Sequence, residues 1–546
     1  MRARRLRFRL GVGVLMACLT LCAVEAALRL SGFGARQPAF VKRADSLGRT
    51  WWVTNPRLGE NWFRAGEWEP QIRHPREVAV AAEKTAGELR IVVIGESAAY
   101  GTPWGQNAAW PAMLEAGLNS AGTRPAEVIN LGIRASSLDI QPALVAEALV
   151  VQPDLFVLYG GHNEYYGIRE PGTLANLRIF QLLQRAFRGQ GDGRVGMRAD
   201  AAVAPEGAMP DGVTLREKVD LERIIVAAGE VPVMVVTPWS NERDVAPIGS
   251  YVPNGHQAAG ARAAALLARV EAAPETAPAA QDELSALEKE LPMHAGVQHG
   301  LALAQMGNAA GPNARQRFRA AIDLDTVPIR ARSDTIDALR AGSGASALRC
   351  DPGFALEAAT PGHILDHTVF LDHVHLTLAG GAVVARALAG CISDTPALRE
   401  VVDLAKFPDL QSLRSLLDID PVDELVTWRI TERYFQLATI SASLSRERSV
   451  AYYRTLIAEG ESRLDALSLD AFASGQDEVH LAIASRLDAD TQEDRRLSEL
   501  RRAVAARPGS VVARRAYAAA LAARGDDEAA REEEALAGVF ASVSPR

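Results

Sequence analysis

The sequence LRIVVIGES, residues 89–97, carries the clearest structural signal in the chain. It is a short apolar run, rich in β-branched residues, that stops at Gly95, and this pattern is typical of a strand buried on both faces of a parallel sheet. Similar runs occur at 128–131 (VINL), 155–159 (LFVLY) and 231–236 (VPVMVV), each preceded by a helical stretch. Alternating strands and helices predict an α/β fold in which a parallel sheet lies between two layers of helices.

Two parts of the chain break this alternation. Between about residues 256 and 330, alanine, glutamate and leucine dominate, which predicts a helical insertion; after Asp394 the sequence is helical in character to its end. The predicted divisions are a membrane or signal segment at 1–31, an irregular lead-in rich in tryptophan (Trp51, Trp52, Trp62, Trp68) at 32–87, an α/β domain at 88–394 that contains the insertion, and a helical region at 395–546.

The last helical region has a recognisable period. The spacing of Ala518, Leu521, Gly525 and Ala530 is typical of a tetratricopeptide repeat, and residues 301–325 carry a weaker copy. Any alanine-rich helical hairpin produces a similar pattern, so that alternative stays open. Two copies also fall short of the roughly three repeats that an independent solenoid needs.

Composition excludes several classes of protein. With 546 residues, 48% hydrophobic and 23% charged, the chain can bury a large core, which rules out wholesale disorder. A net charge of -8 makes nucleic acid an unlikely partner. Four cysteines without a CxxC pair give no support for a zinc ribbon or for thioredoxin-type chemistry.

The N-terminus has the layout of a signal sequence. Arginines at positions 2, 4, 5, 7 and 9 precede the uncharged apolar stretch from Leu10 to Val24. We favour a retained anchor over a cleaved signal, and both place the rest of the chain in the periplasm or outside the cell; cleavage would give a secreted protein. An exported body allows Cys350 and Cys391 to form a disulfide, although two buried free thiols fit the sequence equally well.

Residues suited to nucleophilic catalysis stand at the ends of the predicted strands. Ser97 comes after the first strand, where it could equally be a helix N-cap, and its surroundings lack the final glycine of a G-x-S-x-G elbow. Gly132 and Asn163 end the next two strands and offer a backbone and an amide N–H for an oxyanion. Asp372 precedes His375 by three residues and can reach its Nδ1. Together they predict a serine nucleophile, a base and an oxyanion hole that includes the Ser97 N–H.

In these motifs the sequence resembles the SGNH hydrolases, also called GDSL-type esterases, over residues 88–255 and 330–392. The resemblance implies a flavodoxin-like three-layer fold, with Ser97, Asp372 and His375 as catalytic residues and Gly132 and Asn163 in the oxyanion hole. Glu96 and Glu164 stand where aspartates are usual in the family. The chain is most similar to exported bacterial members that carry a membrane segment and tetratricopeptide-type helices. Further candidate substrate contacts are Glu96, Arg134, His162, Asn241 and Arg243.

A metal site is the rival chemistry, because three imidazoles and two carboxylates surround His375 within 13 residues (His363, Asp366, His367, Asp372, His373). Pro361-Gly362 and Thr368-Val369 argue against the helix that would align His363 with His367, so we predict no metal and no cofactor.

The predicted function is ester hydrolysis on a small or glycan-linked substrate. The alternatives are an O-acyltransferase that acts on a cell-envelope polysaccharide and a non-catalytic tetratricopeptide scaffold on a degenerate hydrolase core. For the region after Asp394 we expect binding to another cell-envelope protein, and the alternative is that these helices only cap the catalytic core.

Overall fold

The computed structural model describes residues 2–62, 75–165, 177–187, 212–306, 311–341, 347–398, 402–436, 443–475, 478–488 and 491–544. Trp68 of the lead-in and Gly307 of the weaker repeat lie outside these ranges. The strands are β1 (Phe40–Ala44), β2 (Thr50–Thr54), β3 (Ala79–Ala81), β4 (Leu89–Gly95), β5 (Ala126–Asn130), β6 (Leu155–Tyr159), β7 (Val233–Val236) and β8 (Leu348–Cys350).

The helices fall into four groups along the chain. The N-terminal helix is α1 (Arg2–Leu30). Helices between the first strands of the parallel sheet are α2 (Ser97–Tyr100), α3 (Trp110–Ala121), α4 (Gln141–Ala148), α5 (Arg178–Phe187) and α6 (Gly212–Ala228). The insertion and the segment up to Asp394 contain α7 (Gln257–Ala272), α8 (Gln281–Glu290), α9 (Ala295–Met306), α10 (Gly311–Asp323), α11 (Ser333–Ala341), α12 (Gly353–Ala358) and α13 (Leu378–Asp394). The C-terminal region contains α14 (Leu410–Leu416), α15 (Pro421–Tyr434), α16 (Arg446–Glu461), α17 (Ala466–Ala473), α18 (Val479–Arg486), α19 (Glu493–Ala506), α20 (Val511–Ala523) and α21 (Asp527–Ala541).

The larger sheet has the strand order β5-β4-β6-β7-β8, and every neighbouring pair in it is parallel. Alternate residues of each strand point to opposite faces: Ile91 and Val93 pack with α3 and α13, whereas Val92 and Ile94 pack with α4 and α6. Helices therefore cover both faces, and the predicted α/β class with a parallel sheet is confirmed.

The lead-in differs from its prediction. We expected an irregular segment at 32–87, but β1, β2 and β3 form an antiparallel sheet in that order. The strands have only three to five residues, and β3 pairs with β2 across an interval of 24 residues, too long for a hairpin turn. Such short strands leave no sustained alternation in the sequence.

Helix α1 is long and apolar enough to cross a membrane or to serve as a signal sequence. Its window from Arg9 to Leu30 has 22 residues, a mean hydropathy of 2.0 and no residue buried in the protein. At about 1.5 Å per residue this window matches the roughly 30 Å of a bilayer core.

Cys350 at the end of β8 and Cys391 in α13 form a disulfide that closes a separation of 41 residues. Of the two outcomes that the sequence left open, the structure has the paired one. We expect replacement of both cysteines by serine to lower the free energy of unfolding by about 3 kcal/mol, because the cross-link restricts the unfolded chain. Thermal or denaturant unfolding of the two proteins measures the difference, and four reactive thiols in the denatured, unreduced wild type would contradict the pairing.

The C-terminal region packs against the rest of the protein. Phe435 and Tyr453, from the α15–α16 part, belong to the same buried apolar cluster as β4. Further along, the Gln106 N–H donates to the Ala506 carbonyl at 2.8 Å, and Phe540 of α21 packs on Val53 of β2. These contacts favour a region that completes the core over one that projects freely towards a partner.

This packing makes Phe540 a test residue for the C-terminal hairpin. We expect Phe540→Ala to destabilise the protein by about 3 kcal/mol, because it opens a cavity beside Val53. Val512→Ala is the matched control, since Val512 lies on the same hairpin and is 66% exposed; its effect should stay within about 0.5 kcal/mol. Circular dichroism melts of the full chain measure both. An unchanged main transition in Phe540→Ala would instead mean that the hairpin unfolds independently, as a docking module would.

Candidate active site

Ser97 lies at the carboxyl edge of the parallel sheet, where β4 turns into α2. Gly95 has φ +136°, and a Cβ there would lie 2.0 Å from the Tyr159 carbonyl oxygen, so the turn requires glycine. Glu96 is extended, and Ser97 is the first residue of the four-residue helix α2. Trp110 Nε1 donates to the Ala98 carbonyl at 2.8 Å and fixes this short helix. The serine side chain is half-buried.

The end of β5 is tied to this helix by Asn130. Its Nδ2 donates to the carbonyls of Ala99 (3.1 Å) and Tyr100 (3.2 Å), and its Oδ1 accepts the Gly132 N–H at 3.0 Å. A Cβ on Gly132 would lie 2.5 Å from the Tyr100 nitrogen, so glycine permits the close approach. The structure thus brings Gly132 next to the helix that begins at Ser97. The Gly132 N–H already donates to Asn130 Oδ1. The sequence motifs do not single out Asn130.

The loop after β6 is held by Glu96. Its Oε1 accepts the His162 N–H at 2.6 Å, and the side chain is buried. Burial raises the pKa of Glu96 well above its usual range, and the backbone N–H groups of the His162 loop oppose that rise. Asn163 Nδ2 donates to the Ser136 carbonyl at 3.0 Å, which uses one of its two amide protons. Glu164 Oε1 accepts the Leu138 N–H at 2.9 Å.

Two of the candidate substrate contacts, Glu96 and His162, are buried and form hydrogen bonds within the protein, so the structure does not place them as substrate contacts. His162 is 1% exposed and its Nδ1 accepts the Ala331 N–H at 3.1 Å. Burial, together with the positive potential of His375, lowers the pKa of His162 to about 3, so its imidazole is neutral at ordinary pH. These side chains position the loop that carries Asn163. Arg134 is placed differently, because it is half-buried with its guanidinium 4.6 Å from the ring centroid of Tyr100 in α2.

Asp372 and His375 form the predicted pair. His375 Nδ1 donates to Asp372 Oδ2 at 2.7 Å, and Asp372 Oδ1 accepts the N–H groups of Val374 and His375, both at 2.9 Å. Burial alone would raise the pKa of Asp372, but the His375 imidazole and these donors hold it to about 2. The carboxylate therefore fixes the tautomer in which Nε2 carries the lone pair.

The histidine is joined to the serine segment through Trp104, whose Nε1 donates to the Leu376 carbonyl at 2.8 Å. On another side, the ring of Tyr434 contacts the His375 imidazole edge-on, with 5.8 Å between centroids. His375 Nε2 is buried without a hydrogen-bond partner in the described part of the chain, so the Ser97 hydroxyl does not donate to it in this structure. Catalytic hydrogen bonds are often long before substrate binds and tighten in the complex.

The remaining residues of the histidine-rich segment hold loops together. Arg243 forms ion pairs with Asp366 (2.7 Å) and Asp244 (3.0 Å). We predicted Arg243 as a substrate contact, but these two carboxylates already neutralise its guanidinium. The buried Asn241 donates its backbone N–H to the His373 carbonyl at 2.9 Å. His367 stacks on a tyrosine of α16, with 4.9 Å between the ring centroids. Across the described ranges, no three histidine, cysteine or acidic side chains converge as metal ligands would.

Comparison of the chain with protein-family models, with curated proteins and with solved structures found no match. A function for this chain is therefore inferred from the geometry of the site and from the motifs in the sequence.

Proposed function

We propose that this chain is a serine ester hydrolase of the SGNH type. The observation that carries the proposal is the buried Asp372–His375 pair, which leaves Nε2 open and is joined through Trp104 to the segment that bears Ser97. A nucleophile at a strand end, a base held in one tautomer and amide donors at the neighbouring strand ends are the elements of acyl-transfer chemistry. This reaction requires no metal and no cofactor.

In the proposed mechanism, His375 Nε2 accepts the hydroxyl proton of Ser97 while Oγ attacks the ester carbonyl. The ester C–O bond then breaks, and the leaving alcohol takes the proton from His375. Water attacks the resulting acyl-enzyme, gives its proton to His375 and releases the acid, and the proton returns to Ser97. Asp372 stays ionised throughout and stabilises the imidazolium.

The oxyanion needs donors on the carbonyl oxygen of the substrate. The Ser97 N–H has no acceptor within its helix, because it belongs to the first helical residue. The second amide proton of Asn163 is not used by the bond to Ser136. The Gly132 N–H contributes if it shares its proton between the Asn130 oxygen and the substrate. Each such donor is worth about 3 kcal/mol in the transition state.

An O-acyltransferase would use the same residues, with a sugar hydroxyl in place of water. A cavity beyond the carboxyl ends of β7 and β8, lined by Arg315, Arg319 and Arg340, favours a substrate or acceptor that carries negative charge, such as an acidic glycan. A non-catalytic scaffold is the weaker alternative, since it would not need an Asp372–His375 pair whose Nε2 has no hydrogen-bond partner.

For the location, we propose that α1 is a retained anchor and that the body lies in the periplasm or outside the cell, where the Cys350–Cys391 disulfide is stable. Signal cleavage would give a secreted form.

An assay of the detergent-solubilised full chain on p-nitrophenyl acetate tests the proposal. We expect hydrolysis that is faster than in buffer and insensitive to chelators. Adding an oligosaccharide acceptor separates the two fates of the acyl group: acylated sugar in the mass spectrum identifies a transferase, and acetate alone identifies a hydrolase. Absence of both products would contradict the proposal.

A further inference from the structure

A cavity opens at the same edge of the sheet as Ser97, beyond the carboxyl ends of β7 and β8. It has a volume of about 700 Å³, and its walls come from the segments after β7 and α12 and from α10 and α11. The charged and aromatic residues that line it include Trp239, Glu242, Arg315, Arg319, Asp337 and Arg340. Asp337 lies 3.8 Å from Arg340. The catalytic candidates Ser97, Asp372 and His375 do not line it. Ligands of parallel α/β sheets bind at this edge.

Three arginines surround the indole of Trp239, but they differ in their partners. Each guanidinium lies 5.5 to 5.9 Å from the ring centroid. Arg315 pairs with Glu357, and Arg340 pairs with Asp351.

Arg319 forms no ion pair of this kind in the described ranges, although it lies close enough to Glu242 to lower the pKa of that carboxyl group. It donates to the Ser333 hydroxyl at 2.9 Å and to the Ala331 carbonyl at 3.0 Å, and within the described ranges no carboxylate lies within 4.0 Å of it. Its buried Nη1 has no hydrogen-bond partner there either. A guanidinium fork with an unused donor is suited to a carboxylate.

Glu242 is the second unsatisfied group in this cavity. Its side chain is buried, with 1% of the residue exposed, and neither carboxylate oxygen has a hydrogen-bond partner among the described residues. Burial raises the pKa of Glu242 to about 7, although Arg319 and Arg315 pull it down. Below that pH the group is a neutral carboxylic acid and can donate one hydrogen bond. Other buried polar atoms in the described ranges also lack a partner, but Glu242 is the one buried carboxylate there with both oxygens unpartnered, and a bound ligand is one way to satisfy them.

Trp239 forms a rigid apolar wall for the same cavity. Its Nε1 donates to Asp351 at 2.7 Å, and a Cβ on Gly353 would lie 2.5 Å from Nε1, so the Nε1 edge of the ring is held in place. A pocket with one aromatic wall and a few convergent polar groups is the usual form of a small-molecule site. The volume is large enough for one or two sugar rings.

We propose that this cavity binds a carboxylate-bearing sugar unit, with the carboxylate on Arg319 and Glu242 and the sugar ring beside Trp239. Two strands lie between β4, which carries Ser97, and β8, so the two sites are separated by roughly 10–15 Å at the ordinary strand spacing. That distance is the span of a few linked sugars. An ester a few units along the same acidic glycan can therefore reach Ser97. Only this last step rests on the proposed function; the binding itself does not.

Calorimetry on the full chain in detergent at pH 6.0 tests the binding. The probes are a trimer of galacturonate and the neutral galactose trimer of the same length. We expect the acidic trimer to bind at least about tenfold more tightly than the neutral one, because only the acidic trimer offers a carboxylate to Arg319. Equal affinities, or no binding of the acidic trimer, would overturn the proposal without any variant.

The matched variants are Arg319→Gln and Arg317→Gln on the same helix. Arg317 pairs with Glu288 and does not line the cavity. We expect Arg319→Gln to weaken binding of the acidic trimer at least about tenfold, and Arg317→Gln to change it less than about twofold. Similar losses in both would overturn the assignment. The two proposals can fail separately. Ser97→Ala should bind the acidic trimer as tightly as wild type does, because Ser97 does not line the cavity. If the trimer binds to a wild type that cleaves no ester, the binding proposal stands and the hydrolase proposal falls.

Discussion

Replacement of Ser97 by alanine is expected to lower kcat/KM for p-nitrophenyl acetate by at least ~10³-fold. The change removes the attacking oxygen and leaves the turn intact, because Gly95, Glu96 and Trp110 hold it through other atoms. A loss of that size corresponds to about 4 kcal/mol of transition-state stabilisation. Steady-state kinetics measure it, and a circular dichroism melt checks that the fold is unchanged.

Ser136→Ala is the control for this variant. Ser136 stands at the same edge of the sheet, and its hydroxyl donates to the carbonyls of Ile133 (2.8 Å) and Gly95 (3.3 Å) and accepts from Gln141 Nε2 at 3.1 Å, all inside the protein. Its own carbonyl, which holds Asn163, is retained in the variant. We expect its turnover to remain within about tenfold of wild type. A Ser97→Ala protein that is as active as this control would exclude the serine mechanism.

The second large effect is expected for Asp372→Asn, with a fall in kcat of about 10²- to 10⁴-fold. An asparagine amide turned towards His375 donates to Nδ1, which places the proton on Nε2 and removes the base. The loss should lie in kcat more than in KM, because Asp372 does not contact the proposed substrate position. Turnover within about threefold of wild type would show that His375 does not act as the base.

The same variant changes how stability depends on pH. The folded-state pKa of Asp372, about 2, lies below the usual value of 3.8. The ionised carboxylate therefore stabilises the wild type above about pH 4, and this contribution is lost as the pH falls towards 2. Because Asp372→Asn has no carboxylate at this position, its stability should not show that part of the decrease as the pH falls. Thermal melts between pH 2 and pH 5 compare the two proteins.

The sequence predicts the centre of the fold well and its margins poorly. Strands β4, β6 and β7 are apolar runs with one polar residue at most, and burial on both faces makes such runs visible; β5 also carries Glu127 and Asn130. Strand β8 was missed because it has three residues, with Arg349 at its centre. The lead-in sheet was missed because pairing between short strands is decided by packing that no local pattern records.

The site shows the same division between local and distant contacts. The Asp372–His375 bond follows from a spacing of three residues within one turn, so the sequence could predict it. The bond from Glu96 to the His162 loop joins two different strands, and the bond from Trp104 to Leu376 spans 272 residues. No local pattern shows such bonds, so Glu96 and His162 were predicted as substrate contacts, whereas both are buried.

Active-site labelling tests the serine mechanism most directly. Treatment of the full chain with a fluorophosphonate, which reacts with activated serines, should give one adduct, and peptide mass spectrometry should place it on Ser97. Labelling should disappear in Ser97→Ala and fall strongly in Asp372→Asn, since the base that activates the serine is lost. An enzyme that cleaves esters without acquiring this adduct, or that acquires it on another residue, would contradict the account.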